Sequence, residues 1–205
     1  MRPISALLVT VTVLSAQGIP PRASASDYLT QGKAGDVTIA AEFLGHSIPT
    51  STNILASDEY VAVEIGLYGA TDSSRLKISH EDFSLRINGK KNPVPADPYE
   101  LVYKSLRDPD LEPTAAEQKE KTSSISTGGK NPSEANPPPP KFHIPMDVLR
   151  AMEQRVQKAS LPELERPLPV AGLIFFVYRG KAQSIHSVEL IYSGPAGKAT
   201  LELQP

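Results

Sequence analysis

His80, Glu81 and Asp82 stand side by side in "ISHEDFSLRINGKKNPV", residues 78–94. These residue types bind metal ions and move protons. An alternating run follows them. Phe83, Leu85 and Ile87 share one parity, and Asp82, Ser84, Arg86 and Asn88 share the other. Period two marks a strand with one face in a core, so neighbouring side chains point to opposite faces. His80 and Asp82 then share a side while Glu81 faces away, and three neighbours on an extended chain do not converge on one ion. The trio reads as a solvated strand entrance, with Asn88-Gly89 as the turn that ends the strand.

The remaining reactive residues are dispersed. His46, His143 and His186 have no carboxylate or histidine at a recognised ligand spacing, and no His-Glu-x-x-His occurs. There is no Gly-x-Ser-x-Gly elbow, glycine-rich phosphate loop or dinucleotide fingerprint. "STGGK", residues 126–130, lacks the leading glycine spacing and the following hydroxyl of a phosphate loop, and reads as linker. The chain has no cysteine. That removes thiol nucleophiles, thiolate metal sites, disulfides and an acylatable anchor. Tyr60, Tyr68, Tyr99, Tyr103, Tyr178 and Tyr192 read as tyrosines covering sheet edges with wet hydroxyls. No catalytic, cofactor-binding or metal-ligating residue is assigned, and no cofactor is implied. One enzymatic alternative stays open: a small metal-dependent hydrolase assembled across the fold from His46, His80 and nearby carboxylates.

The elements that would position such groups come from the rest of the pattern. The chain has 205 residues and a net charge of −2, so nothing points to electrostatic capture of nucleic acid or of an anionic membrane. The amino terminus opens on Met1-Arg2, continues with the apolar or threonine stretch "ALLVTVTVL" over 6–14, and then offers small residues. "AQG" at 16–18 and "ASA" at 23–25 are two candidate cleavage sites. This order is that of a secretory signal peptide, taken as residues 1–25. Nine helical residues rise only about 13–14 Å, too little for a ~30 Å hydrocarbon core, so no membrane span is expected after cleavage. The expected location is periplasmic or secreted.

Residues 36–203 then form a single expected domain. "DVTIAAEFL" and "EYVAVEIGLYG" alternate as half-buried strands, while "GLIFFVYRG" is apolar on both faces, as in a central strand. "SIHSVELIYSG" and "KATLEL" are joined by "SGPAGK", a hairpin loop. Residues 105–141 interrupt the pattern. Seven prolines (Pro109, Pro113, Pro132 and Pro137 to Pro140) and few large apolar residues predict a disordered insertion, its tetraproline a stiff spacer. Residues 145–160 follow as one amphipathic helix. Pro145 suits its first position, and Val148, Leu149, Met152 and Val156 form one stripe before Pro162 stops it.

About six strands, one helix and a cross-chain insertion predict a mainly β chain, an immunoglobulin-like antiparallel β-sandwich. The stretches "EYVAVEIGLYG" (59–69), "ISHEDFSLRINGKK" (78–91), "VAGLIFFVYRG" (170–180) and "SVELIYSG" (187–194) carry a resemblance. They resemble the extracytoplasmic Ig-like domains of unknown function found in bacterial secreted proteins and lipoproteins. The resemblance skips residues 104–166, and its motifs are structural, with Phe83 and Phe175 or Phe176 as core plugs. It implies a fold and no catalytic residues. The missing lipobox cysteine departs from the lipoprotein members and implies a soluble form.

The expected function is an exported, non-enzymatic Ig-like module that binds a ligand or an unidentified envelope or extracellular protein. Loops 45–58 and 69–77 are the expected contact regions. A purely structural domain is the other alternative.

Overall fold

A computed structural model describes residues 18–71, 73–111 and 144–205. Residues 1–17, which carry the apolar stretch of the expected signal peptide, lie outside the described residues, as do His143 and "STGGK". Eight strands form one antiparallel sheet. Their order is β1 (Thr30–Ala34), β2 (Val37–Gly45), β5 (Tyr60–Gly69), β11 (Val170–Val177), β8 (Val94–Asp97), β7 (Phe83–Ile87), β12 (Val188–Gly194) and β13 (Gly197–Leu203). The strands β3 (Ser47–Pro49), β4 (Ile54–Ser57) and β9 (Leu106–Arg107) make a small second sheet, and β6 (Arg75–Ile78) pairs with β10 (Leu164–Pro167).

The large sheet curls until its ends meet. Thr30 on β1 donates its hydroxyl to the Glu202 carbonyl on β13 at 3.0 Å. At Gly32 the two strands pass so closely that a Cβ would sit 3.3 Å from the Leu201 side chain. The expected mainly β, antiparallel architecture is therefore present, with eight of its strands in one continuous ladder. Short β8 pairs with β11 through Phe175↔Asp97 and Phe176↔Ala96, and with β7 through Ser84↔Pro95 and Leu85↔Val94. It stitches the two halves into one nearly closed, barrel-like ladder. Alternate residues of every long strand fill the interior, among them Ile39, Val63, Ile65, Phe83, Leu85, Phe176, Leu190, Tyr192 and Leu201.

A second core lies outside the barrel, against β5 and β11. The helices α1 (Tyr99–Val102) and α2 (Met146–Ala159) cover it. Met152, Val156 and Ala159 of α2 pack with Ile48, Leu55, Val102, Leu106, Ala62, Leu173 and Phe175. Strand β5, expected to be half-buried, is consequently buried on both faces from Tyr60 to Leu67. Helix α2 falls where the apolar stripe places it. Pro145 is its N-cap rather than its first helical residue, and the Ser160 N–H closes the last turn on the Val156 carbonyl at 2.9 Å.

Two boundaries differ from expectation. The expected disordered insertion at 105–141 begins with ordered chain. Leu106 is buried, β9 pairs with β4, and buried Asp108 accepts from Asn53 Nδ2 at 2.8 Å. One apolar residue in a strand partner and one carboxylate with a dedicated donor suffice to hold it, which composition averaged over the segment conceals. Residues 112–141 lie outside the described residues. At the other end the fold takes in residues 18–35, ahead of the expected domain start at 36. Ile19 bridges Ala171, and β1 lies along β2.

Candidate functional site

The three residues of the opening motif form a 3-10 turn, His80–Asp82, rather than the first residues of a strand. Ser79 makes the turn: its hydroxyl accepts from the Glu81 N–H at 3.3 Å, and its own N–H donates to Asp82 Oδ2 at 3.3 Å. This reciprocal arrangement is a capping box, which satisfies donors that a helical start otherwise leaves bare. Burial pushes the Asp82 carboxyl above its ordinary value, against the opposing bond from the Ser79 backbone. Strand β7 then follows in the alternating pattern the sequence shows, with Phe83, Leu85 and Ile87 buried.

His80 is thereby aimed at the connector that leaves α2. Its Nδ1 bonds Glu163 Oε1, and its backbone N–H donates to the same oxygen at 3.3 Å. Arg166 Nε donates to the Glu163 carbonyl at 3.1 Å and holds the connector in shape. Leu164, between them, has φ 70° and is 70 % exposed. A large branched side chain seldom occupies the left-handed region, and strain of this kind gathers at functional sites.

These residues border a cleft of about 330 Å³. Leu161, Leu173 and Phe175 contribute apolar lining, and Asp97, Tyr99, Glu100, His80, Glu163 and Arg166 contribute polar lining. Three acids and two basic groups therefore share one cleft with core side chains. Tyr99 accepts a bond from Gln157 Nε2 at 2.7 Å. Burial first, and then the Glu100 carboxylate, push its phenol up. Ser160 lines the cleft as well, but it is buried and its hydroxyl donates to the Val156 carbonyl at 2.7 Å. The arrangement offers an apolar seat together with hydrogen-bonding groups, the usual composition of a ligand site.

The other residues singled out in the sequence lie elsewhere. His46 Nδ1 is 2.7 Å from the Ser57 carbonyl oxygen and 2.9 Å from that of Tyr60, and its Nε2 is 2.9 Å from that of Gly180. It ties three chain segments together and is not brought to His80. The His186 backbone N–H donates to Asn88 Oδ1 at 2.7 Å, which fixes the turn after β7. Among the described residues no three histidine, aspartate or glutamate side chains gather as a metal site. Neither expected contact loop lines the cleft: residues 45–58 hold the β3–β4 hairpin, and of 69–77 the Ser74 N–H bonds the Thr71 carbonyl just before β6 begins at Arg75. Glu163, Arg166, Asp97 and Glu100 escaped sequence reasoning. For Glu163 and Arg166 the visible signal is the proline-bounded charged run "PELERPLP" between a helix and a strand, and no such run marks Asp97 and Glu100.

No family model matches the chain, and neither a curated protein nor a solved structure matches it. Among the described residues no helix is long and apolar enough to cross a membrane.

Proposed function

We propose that this chain is an exported, non-enzymatic binding module of immunoglobulin-like kind, working in the periplasm or outside the cell. Its ligand or protein partner seats an apolar group on the apolar lining of the cleft and hydrogen-bonds to the polar lining. The observation that carries this reading is the conjunction at one place of an apolar lining, a His80–Glu163 pair and an exposed, strained Leu164. Binding sites tolerate such strain where ordinary connectors relax it. The hydrolase alternative is less well supported. His46 is occupied by three carbonyls away from His80, and the Ser160 hydroxyl is committed to a backbone carbonyl.

A fragment mixture screened by amide NMR tests the reading. Shifts concentrated on His80, Tyr99, Glu163, Leu164 and Arg166 are the expected result, weakened at least tenfold in affinity by Phe175→Ala or Glu163→Ala. Shifts confined to the 45–58 hairpin, or none at millimolar fragment, would overturn the cleft as the site.

A further inference from the structure

We propose that export removes residues 1–18 by a cut between Gly18 and Ile19, so that Ile19–Asp27 stays on the mature protein as a strap across β2, β5 and β11. The inference rests on the export reading. It chooses between the two small-x-small steps in the sequence, Ala16-Gln17-Gly18 and Ala23-Ser24-Ala25. A cut after Ala25 would leave Ser26 first and discard the strap.

The strap is too well integrated for that. Ile19 bridges Ala171 on β11 and packs against the outer core. Arg22 Nη2 lies 2.8 Å from Glu42 Oε2 and 3.1 Å from Glu64 Oε2. Those two glutamates are direct partners across β2 and β5, and Glu64 is buried. Like charges opposite one another in a ladder repel, and Arg22 bridges this pair. Its guanidinium also lies 4.1 Å above the Tyr28 ring, and its carbonyl accepts from the Tyr68 hydroxyl at 2.9 Å. Ser24 and Asp27 close a capping box: the Ser24 N–H donates to Asp27 Oδ2 at 2.9 Å, and the Ser26 N–H to Ser24 Oγ at 3.1 Å. A cut after Gly18 spares all of these. It forfeits the Gly18 N–H bond to the Lys158 carbonyl, 2.8 Å.

The step is hydrolysis by a signal peptidase of the exporting cell. Water adds its oxygen to the Gly18 carbonyl carbon, the C–N bond to Ile19 breaks, and the departing nitrogen takes protons to become an α-ammonium. Nothing is oxidised or reduced. In the folded chain Gly18 is pressed on Ala171, where a Cβ would meet the carbonyl oxygen at 2.5 Å. The cut therefore precedes docking of the strap.

The test is to express the full chain in a bacterial secretion host and take the intact mass and amino-terminal sequence of the recovered protein. A first residue of Ile19 is expected. Gly18→Leu should make precursor accumulate or move the cut, and Ala25→Leu should leave the first residue unchanged. A protein beginning at Ser26, or a Gly18→Leu chain processed as wild type, overturns the proposal while leaving export standing. A chain that keeps Met1 inside the cell overturns both.

Discussion

Glu42 and Glu64 face each other in register on β2 and β5, a pairing that a ladder tolerates only with a cation between them. Arg22 supplies it from a segment twenty residues away from Glu42 in sequence. Its side chain is about one-third exposed and that of Glu64 only 12 %, so the pair lies between the wet and dry limits. Arg22→Ala should lower stability by about 1–3 kcal/mol, more than an exposed pair and less than a fully buried one. Adding Glu42→Gln should restore part of that loss, because it removes the repulsion rather than the attraction. Urea unfolding of the two variants decides the matter, and an Arg22→Ala midpoint equal to wild type would show that the strap's cation carries no weight. His46 makes a comparable argument. Its ring reaches the carbonyls of Ser57, Tyr60 and Gly180, and removing it leaves them short of a donor. His46→Ala should cost about 2–3 kcal/mol by the same measurement, with His46→Gln recovering a portion through its amide. Equal loss in both variants would point instead to packing against Tyr178, whose ring centroid lies 6.0 Å from that of His46.

At the scale of elements, the passage from α2 into β11 sets the cleft. The Leu161 N–H donates to the Leu173 carbonyl at 2.9 Å, and Ser160 bridges Leu173 in parallel. The crossing is possible because residue 172 is glycine. A Cβ there would lie 2.3 Å from Leu161 Cα and 2.5 Å from its nitrogen, both backbone atoms that cannot swing aside. Gly172→Ala should therefore destabilise the fold by about 1–3 kcal/mol or more and move the connector bearing Glu163. In amide NMR, His80 and Leu164 should shift together in this variant; unchanged His80 resonances would mean the connector is not held through this contact. This junction also marks the limit of what the sequence discloses. Helix α2 and strands β2, β5, β7, β11, β12 and β13 were legible because their periodicities are local. The pairing of His80 with Glu163, 83 residues apart, has no local signature. The strap was obscured because its contributions come from Arg22, Ser24 and Asp27 rather than from an apolar run. Barrel closure was hidden for another reason: alternation looks the same in a sandwich and in a curled sheet.

The whole molecule ties these layers together, and its tyrosines report on all of them. Tyr28 and Tyr68 lie beneath the strap, Tyr60 belongs to the outer core, Tyr99 borders the cleft, and Tyr192 packs on Phe83 inside the barrel with ring centroids 5.1 Å apart. Burial is the first cause pushing each of these five phenols up; Glu64 adds to it at Tyr28 and Asp97 at Tyr60. Raised folded values fix the sign of the linkage. The unfolded chain releases its phenolic protons near the ordinary value of about 10, while the native chain still holds them. The stability these groups contribute is thus fully present below pH of about 10 and drains away as pH climbs through the folded values. Because Tyr28, Tyr60 and Tyr192 are buried beneath the strap, in the outer core and in the barrel, their ionisation should accompany opening of the structure. Tyrosinate absorbance should lag a free-phenol titration and then rise together with the loss of far-UV circular dichroism. A smooth titration at the free-phenol midpoint, with the dichroism still native, would mean that the five rings are wet and that the barrel, outer core and strap are not packed as one body.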